Sequence, residues 1–230
     1  MGATQIDTSV MRRVGGQLGS NIAGVFQNDS GGRYYVKILE SAAHARNEII
    51  AARLYQLAGA PTLNYVSTTA PDQIATEWIE LDKRTAAHLS NEERKQAQQW
   101  FGVHAWTANW DVTGCDGDNL GVVGGKVLTL DVGGALDFRA HGDPKGKAFG
   151  TRVEELDVLR SERGNPHAAR LFADMAPDDI KQAVMRVVRI PDERIREVII
   201  DSGGSSALAE KMIARKADMA RSLMGDKRQG

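Results

Sequence analysis

Residues 109–134 read NWDVTGCDGDNLGVVGGKVLTLDVGG. A polar loop, Asn109 to Asn119, runs into two short apolar stretches, Leu120 to Val123 and Val127 to Leu130, with Gly124 and Gly125 at the tip of a hairpin. The second stretch closes on an acid, Asp131, followed by Val132-Gly133-Gly134. An acid in a polar loop can orient a hydroxyl and accept its proton, while an amide and a second acid after a hairpin can hold magnesium. Solvated Asx turns account for Asp116 and Asp118 but not for an isolated acid ending a strand as apolar as Val127-Leu128-Thr129-Leu130. The opening of Asp116-Gly117-Asp118-Asn119-Leu120-Gly121 is not a calcium loop, because Leu120 stands where an oxygen ligand is needed and Val127 where a bidentate Glu belongs.

Upstream, Ala23–Asn28 and Arg33–Leu39 are strand-like and joined by Asp29-Ser30-Gly31-Gly32, a hairpin turn. A strand before Gly15 precedes them. From Ser41 to Ala58, Ile50, Leu54 and Leu57 share a helical face, and Gly59-Ala60-Pro61 ends the helix. Two further strands are expected at Leu63–Thr68 and Gln73–Ile79. The glycine-rich segment from Gly15 to Gly24 lies between strands, where its backbone can approach phosphate oxygens or make a turn without a ligand. Lys37, in Tyr34-Tyr35-Val36-Lys37-Ile38, either faces outward or pairs with Glu48 near the start of the helix; a lysine so held can grip the phosphates of ATP.

Ser90 followed by Glu92 and Glu93 has the chemistry of a helix start, so a boundary falls near residues 82–92 and a helix is expected over Asn91 to Trp106. Helices are expected around Val153–Arg163, Pro166–Met175, Pro177–Val188, Asp192–Ile200 and Ser205–Met224. Phe138 to Gly150, polar and glycine-rich, is the candidate mobile segment, and Thr151 beyond it reads most simply as an N-cap. Gly142-Asp143-Pro144-Lys145-Gly146-Lys147-Ala148 is one residue short of a P-loop and ends in Ala where a hydroxyl is required. His104, close to Trp106 on an apolar helix, reads as a core histidine.

The composition bounds the function. With 29 basic and 30 acidic side chains, the chain lacks the positive excess that holds a nucleic-acid backbone, and no nucleic-acid partner is expected. Its apolar runs are too short for membrane insertion, and the N-terminus lacks a signal-like apolar core, so a cytoplasmic protein is expected. One cysteine, Cys115, forms neither an internal disulfide nor a CxxC metal site.

Taken in order, the glycine loop, strand lysine, helix glutamate, loop Asp and Asn, and Asp after a hairpin make the chain resemble the protein-kinase-like phosphotransferases. It is more similar to HipA-type toxin kinases and to the phosphoinositide-kinase-related and actin-fragmin-kinase-like groups than to eukaryotic protein kinases. The loop lacks His-Arg-Asp, and the metal aspartate sits in Asp131-Val132-Gly133. The resemblance covers about Gly15 to Gly134 in motifs, and the remainder only as a helical lobe. It implies an α+β, bilobal fold: residues 1–85 as a nucleotide-binding N-lobe with an antiparallel sheet and one helix, and residues 86–230 as a mainly helical C-lobe with the catalytic loop.

Carried over residue by residue, Gly19, Ser20 and Asn21 cover the nucleotide phosphates and Lys37 contacts them while paired to Glu48. Glu77, Trp78 and Ile79, with Glu80, form the hinge that reads adenine. Asp111 is the catalytic acid or base, and Asn119 and Asp131 bind Mg2+. The step from Asp111 to Asn119 is eight residues where the superfamily commonly has five, so either the loop carries an insertion or Asp116 or Asp118 is the working acid; Asn109-Trp110 gives Asp111 an aromatic anchor and favours it.

The activity implied is ATP- and Mg2+-dependent transfer of the γ-phosphoryl group to a hydroxyl, first of all Ser or Thr of a protein substrate. The partner is unidentified, and delivery to another cell as an effector is compatible with the resemblance. Small-molecule phosphotransferases usually carry His-x-Asp, which Asn109-Trp110-Asp111 is not. A small-molecule or lipid kinase, an AMP transferase and an inactive binding module stay open as alternatives.

Overall fold

A computed structural model describes residues 5–19, 21–83 and 85–225. The N-terminal part is a five-stranded antiparallel sheet in the order β1-β2-β3-β5-β4. The strands are β1 (Arg12–Gly15), β2 (Ile22–Gln27), β3 (Arg33–Ile38), β4 (Tyr65–Val66) and β5 (Gln73–Glu77), with α1 (Ala42–Leu57) between β3 and β4. This is the expected order of three strands, a helix and two strands. β4 is shorter than the expected 63–68; beyond its end Thr68 bridges in parallel to Ile6.

Alternation along β3 divides its side chains between two environments. Val36 packs with Ile6 and Ala75 in a small core on one face of the sheet. Tyr35 and Lys37 take the opposite face, over a cleft that Thr76 of β5 also lines. The α1 helix starts at Ser41, whose hydroxyl accepts the Ala43 N–H, and ends before Gly59 at φ +78°.

The chain leaves β5 and pairs with the hairpin β6 (Leu120–Val123) and β7 (Lys126–Thr129): the Asp82 N–H donates to the Val122 carbonyl and the Val122 N–H to that of Lys83. The expected helix over 91–106 is two, α2 (Asn91–Gln98) and α3 (Phe101–Trp106), broken at Gln99 and Trp100. α2 opens with a capping box between Ser90 and Glu93. The break sets Gly102 against the backbone of Ala183, which a Cβ would approach to 2.3 Å, so only glycine lets α3 lie so close to α6.

The helical part continues with α4 (Glu155–Val158), α5 (Pro166–Phe172), α6 (Pro177–Val188), α7 (Asp192–Asp201) and α8 (Ser206–Leu223). α4 is much shorter than the expected 153–163 and begins without a side-chain cap, so Thr151 is not its N-cap. One hydrophobic core runs from α1 (Ala45, Leu54, Tyr55) through α3 (Phe101, Trp106) to α8 (Met212, Met219). No helix of the described residues is long and apolar enough to cross a membrane.

Candidate active site

Lys37 is the centre of the cleft. Its ammonium donates to Glu48 Oε1 and to Asp131 Oδ2, both at 2.8 Å, so β3, α1 and the segment after β7 meet at one atom. Burial is the largest single influence on the lysine and works against its charge, but the two carboxylates together outweigh it and hold the ammonium well above its usual range. Burial raises Glu48, which is 2% exposed, despite Lys37 and the Tyr65 hydroxyl that donates to it at 3.1 Å. Burial also pushes on Asp131, yet Lys37 and the Gly133 N–H, which donates to Asp131 Oδ1 at 2.8 Å, bring that carboxyl below its usual range.

Gly133 has no room for a side chain. A Cβ there would stand 2.9 Å from Glu48 Oε2 and 3.2 Å from Asp131 Oδ1. The glycine therefore closes the backbone onto the two acids, which any larger residue would push apart.

The eight-residue step between Asp111 and Asn119 folds back on itself. The Asn119 amide donates to the Asp111 carbonyl at 2.6 Å and to its Oδ2 at 2.9 Å, so the two side chains meet despite the long loop. Burial raises the Asp111 carboxyl, with Asp131 and Asp118 adding to the effect and the Asn119 hydrogen bond opposing it. A carboxylate raised toward neutrality is a better proton acceptor for a hydroxyl. Asp118 lines the cleft of Lys37 and also an adjoining cavity, which Asp111 and Asp116 line with Glu40, Arg139 and His141.

A buried chain of polar groups stands behind Asp111. The Asp111 N–H donates to Asn109 Oδ1 at 3.1 Å, the Asn109 amide donates to the Tyr55 hydroxyl at 3.0 Å, and Tyr55 lies 2.7 Å from His104 Nδ1. The Tyr55 hydroxyl thus accepts from Asn109 and shares a hydrogen bond with His104, which burial keeps neutral by lowering it to about 3. His104 is a satisfied core histidine, and it anchors a relay from α3 through α1 to the loop.

Away from Lys37, the cleft of about 240 Å³ is lined by Leu18, Gly19, Asn21, Glu77, Trp78 and Ile79. The expected loop, lysine and hinge residues are thus gathered around one cavity; Ser20 lies outside the described residues. The Leu18 N–H donates to the Tyr35 hydroxyl at 2.9 Å and ties the glycine-rich turn to β3. Trp78 is fixed from both sides, its N–H donating to the Arg33 carbonyl and its indole to Glu80 at 2.7 Å.

The donor set suits magnesium. Among the described residues no three carboxylate, histidine or cysteine side chains converge as a metal cage. Asn119 and Asp131 offer one amide oxygen and one partly exposed carboxylate, the small complement that magnesium takes when phosphate oxygens and waters complete its shell. Lys37 is already paired with Glu48 and Asp131, and Asp118 lines the same cleft, so a polyphosphate would need a divalent cation to lie among these carboxylates.

Sequence reasoning missed Tyr65, the Tyr55–Asn109 relay, Asn47 and Lys145. Asn47 on α1 donates to the Ala135 carbonyl at 2.9 Å and accepts the Asp137 N–H at 3.1 Å, fastening the helix of Glu48 to the segment after Asp131. Its place one residue before Glu48 is the only signal the sequence holds for it. The expected mobile segment, 138–150, is pinned: Phe138 stacks on His44 at 4.0 Å, and the Lys145 ammonium is buried on three carbonyls.

The sequence matches no family profile and no curated protein. In structure the chain is similar to the Helicobacter pylori proinflammatory kinase CtkA, with a TM-score of 0.60 and 13% identity over 95% of both chains. An aminoglycoside phosphotransferase from Alicyclobacillus acidocaldarius aligns at TM-score 0.46 and 14% identity over 96% of this chain and 95% of that one. The macrolide 2'-phosphotransferase MphH from Brachybacterium faecium aligns at 0.38 and 9% over 96% and 89%. The full-length likeness to CtkA, with the antiparallel sheet, single sheet-side helix and helical remainder, shows that this α+β chain has the protein-kinase-like fold.

Proposed function

We propose that this chain is an ATP- and magnesium-dependent kinase that transfers the γ-phosphoryl group to the hydroxyl of a protein serine or threonine. The observation that carries the reading is the Lys37 ammonium, held 2.8 Å from both Glu48 and Asp131 beside the paired Asp111 and Asn119. Residues 1–85 supply the nucleotide-binding half: Gly19 and Asn21, with Ser20, over the phosphates, Lys37 on them, and the backbone of Glu77, Trp78 and Ile79 along adenine. Residues 86–230 supply the loop and the metal ligands. Asn119 and Asp131 hold the magnesium ion, which when bound offsets the phosphate charge.

The acceptor oxygen forms a bond to the γ-phosphorus as the bond to the bridging oxygen breaks. ADP leaves with that electron pair, and the hydroxyl proton passes to the Asp111 carboxylate. Two features support a protein acceptor. The motif order resembles HipA-type kinases, and Asn109-Trp110-Asp111 replaces the His-x-Asp usual in small-molecule phosphotransferases.

Incubation with magnesium and γ-labelled ATP, alone and with cell lysate, tests the reading. Label is expected on protein, and Asp131→Ala and Asp111→Ala should each reduce it about 100-fold or more. Bound ATP without label on protein would sink the protein acceptor and turn the search to small acceptors and α-labelled ATP. Absence of ATP binding would sink the kinase.

A further inference from the structure

Lys145 is 4% exposed, and its three N–H bonds are all spent on backbone carbonyls: Ala108 at 2.8 Å, Gly134 at 2.8 Å and Leu136 at 2.9 Å. The rings of Trp110 and Phe149 flank it at 4.8 Å and 5.9 Å. The charged groups around it are Glu155 and Asp137, which favour the ammonium, and Arg215 and Arg139, which oppose it. Burial dominates them and pushes the amine down, while the three carbonyls gathered on one nitrogen call for three donors and so for the ammonium.

Two of the three carbonyls belong to Ala108 at φ +51° and Leu136 at φ +56°, the only non-glycine residues with positive φ among the described residues. A left-handed residue with a side chain is sterically disfavoured and persists where its surroundings hold it. Here one cation collects the carbonyls of both. Ala108 directly precedes Asn109, whose side chain takes the Asp111 N–H. Gly134 and Leu136 follow Asp131 by three and five residues, and the Leu136 N–H donates back to the Thr107 carbonyl at 2.7 Å.

We infer that Lys145 is a positioning residue whose buried ammonium fixes the Asp111 loop against the Asp131 segment and so sets the relation between the two carboxylates. The inference rests on the phosphotransfer reading for its effect on rate, and on geometry alone for its effect on the two loops. A buried apolar side chain would pack among Trp110 and Phe149 without a desolvation penalty; the three inward-turned carbonyls are what a lysine alone of that shape satisfies.

Lys145→Met keeps the unbranched stem and removes the ammonium with its donors. Measured per ATP-binding molecule, its kcat should fall about 100-fold while KM for ATP stays within about threefold, because the residues whose carbonyls Lys145 binds, Ala108, Gly134 and Leu136, do not line the adenine end of the cleft. Adding Ala108→Gly should restore at least about tenfold, since glycine adopts the left-handed conformation freely. A merely structural lysine would lower the melting temperature and the folded fraction and leave kcat per binding molecule within about threefold, which would overturn the assignment. Lys145→Gln gives the same reading if the Met variant does not fold.

Should the wild type bind ATP and transfer nothing, the phosphotransfer reading fails by itself. Hydrogen exchange then decides the assignment: selective loss of protection at Asn109–Asp111 and Gly133–Leu136 in Lys145→Met supports it, and a loss spread evenly over the molecule overturns it.

Discussion

Glu48 and Asp131 face the same ammonium from different environments, and their titration separates accordingly. Glu48 is enclosed and raised, Asp131 is partly open to the cleft and lowered, so of the two acids Asp131 is the one whose charged form the fold favours. His104 is the other residue whose protonation the fold decides. Burial lowers it from 6.5 to about 3, so between those values the unfolded chain binds a proton that the folded chain refuses. Its contribution is therefore complete above pH 6.5 and is lost as the pH falls toward 3, at up to about 1.4 kcal/mol per pH unit. In urea unfolding, His104→Gln should be less stable than wild type at pH 7.5, and the two should converge by about pH 4.5. A gap that stays constant over that range would show that His104 does not titrate on unfolding.

The α1 helix carries Glu48, and its position is held from three sides. Asn47 binds Ala135 and Asp137; His44 bonds to the Gly142 carbonyl at 2.9 Å while its Nδ1 lies 2.9 Å from Ser41 Oγ; and α7 packs along its flank. Helix and segment thus lock each other, which explains why a stretch as glycine-rich and polar as 138–150 is built rather than loose. Asn47→Ala would strip a buried carbonyl and a backbone N–H of their partner. It should cost about 2 kcal/mol in stability and, if the chain is the kinase proposed above, slow phosphoryl transfer about tenfold by freeing Glu48. Denaturant titration and initial rates measure the two effects; unchanged rates in a destabilised variant would separate α1 from the chemistry.

The core takes no notice of the boundary near residue 85. Side chains of α1 pack with α3 and α8 in one cluster, and Gly204, after α7, lies so near Ile50 that a Cβ would approach its Cδ1 to 2.9 Å. Arg215 of α8, fully buried, adds a polar staple, donating to the Ala105 and Trp106 carbonyls, to those of Gly150 and Arg152, and to Glu155. The sheet and the helical part should therefore unfold together. Calorimetry is expected to show one transition whose calorimetric and van't Hoff enthalpies agree. Two resolved transitions would mean that the lobes are energetically independent.

Local patterning was enough to read the succession of strands and helix in the N-terminal part and the cap at Ser90, and to single out Lys37 and the residues of the glycine-rich turn and hinge that line the cleft. Turn chemistry, strand alternation and capping act within a few residues, and the order of Lys37, Glu48, Asp111, Asn119 and Asp131 is itself linear information. The close approach of α3 to α6 was illegible because the backbone that Gly102 meets, that of Ala183, lies 81 positions along. The face taken by Lys37 depended on which side of the sheet α1 covers, and the meeting of Asp111 with Asn119 on how an eight-residue loop closes. Lys145 was hidden most deeply: its partners are carbonyls, which every residue carries, so no side-chain pattern could announce them. Hydrogen bonds to backbone atoms and contacts between distant segments exist only once the chain has folded, and they set the geometry in which the legible residues can act.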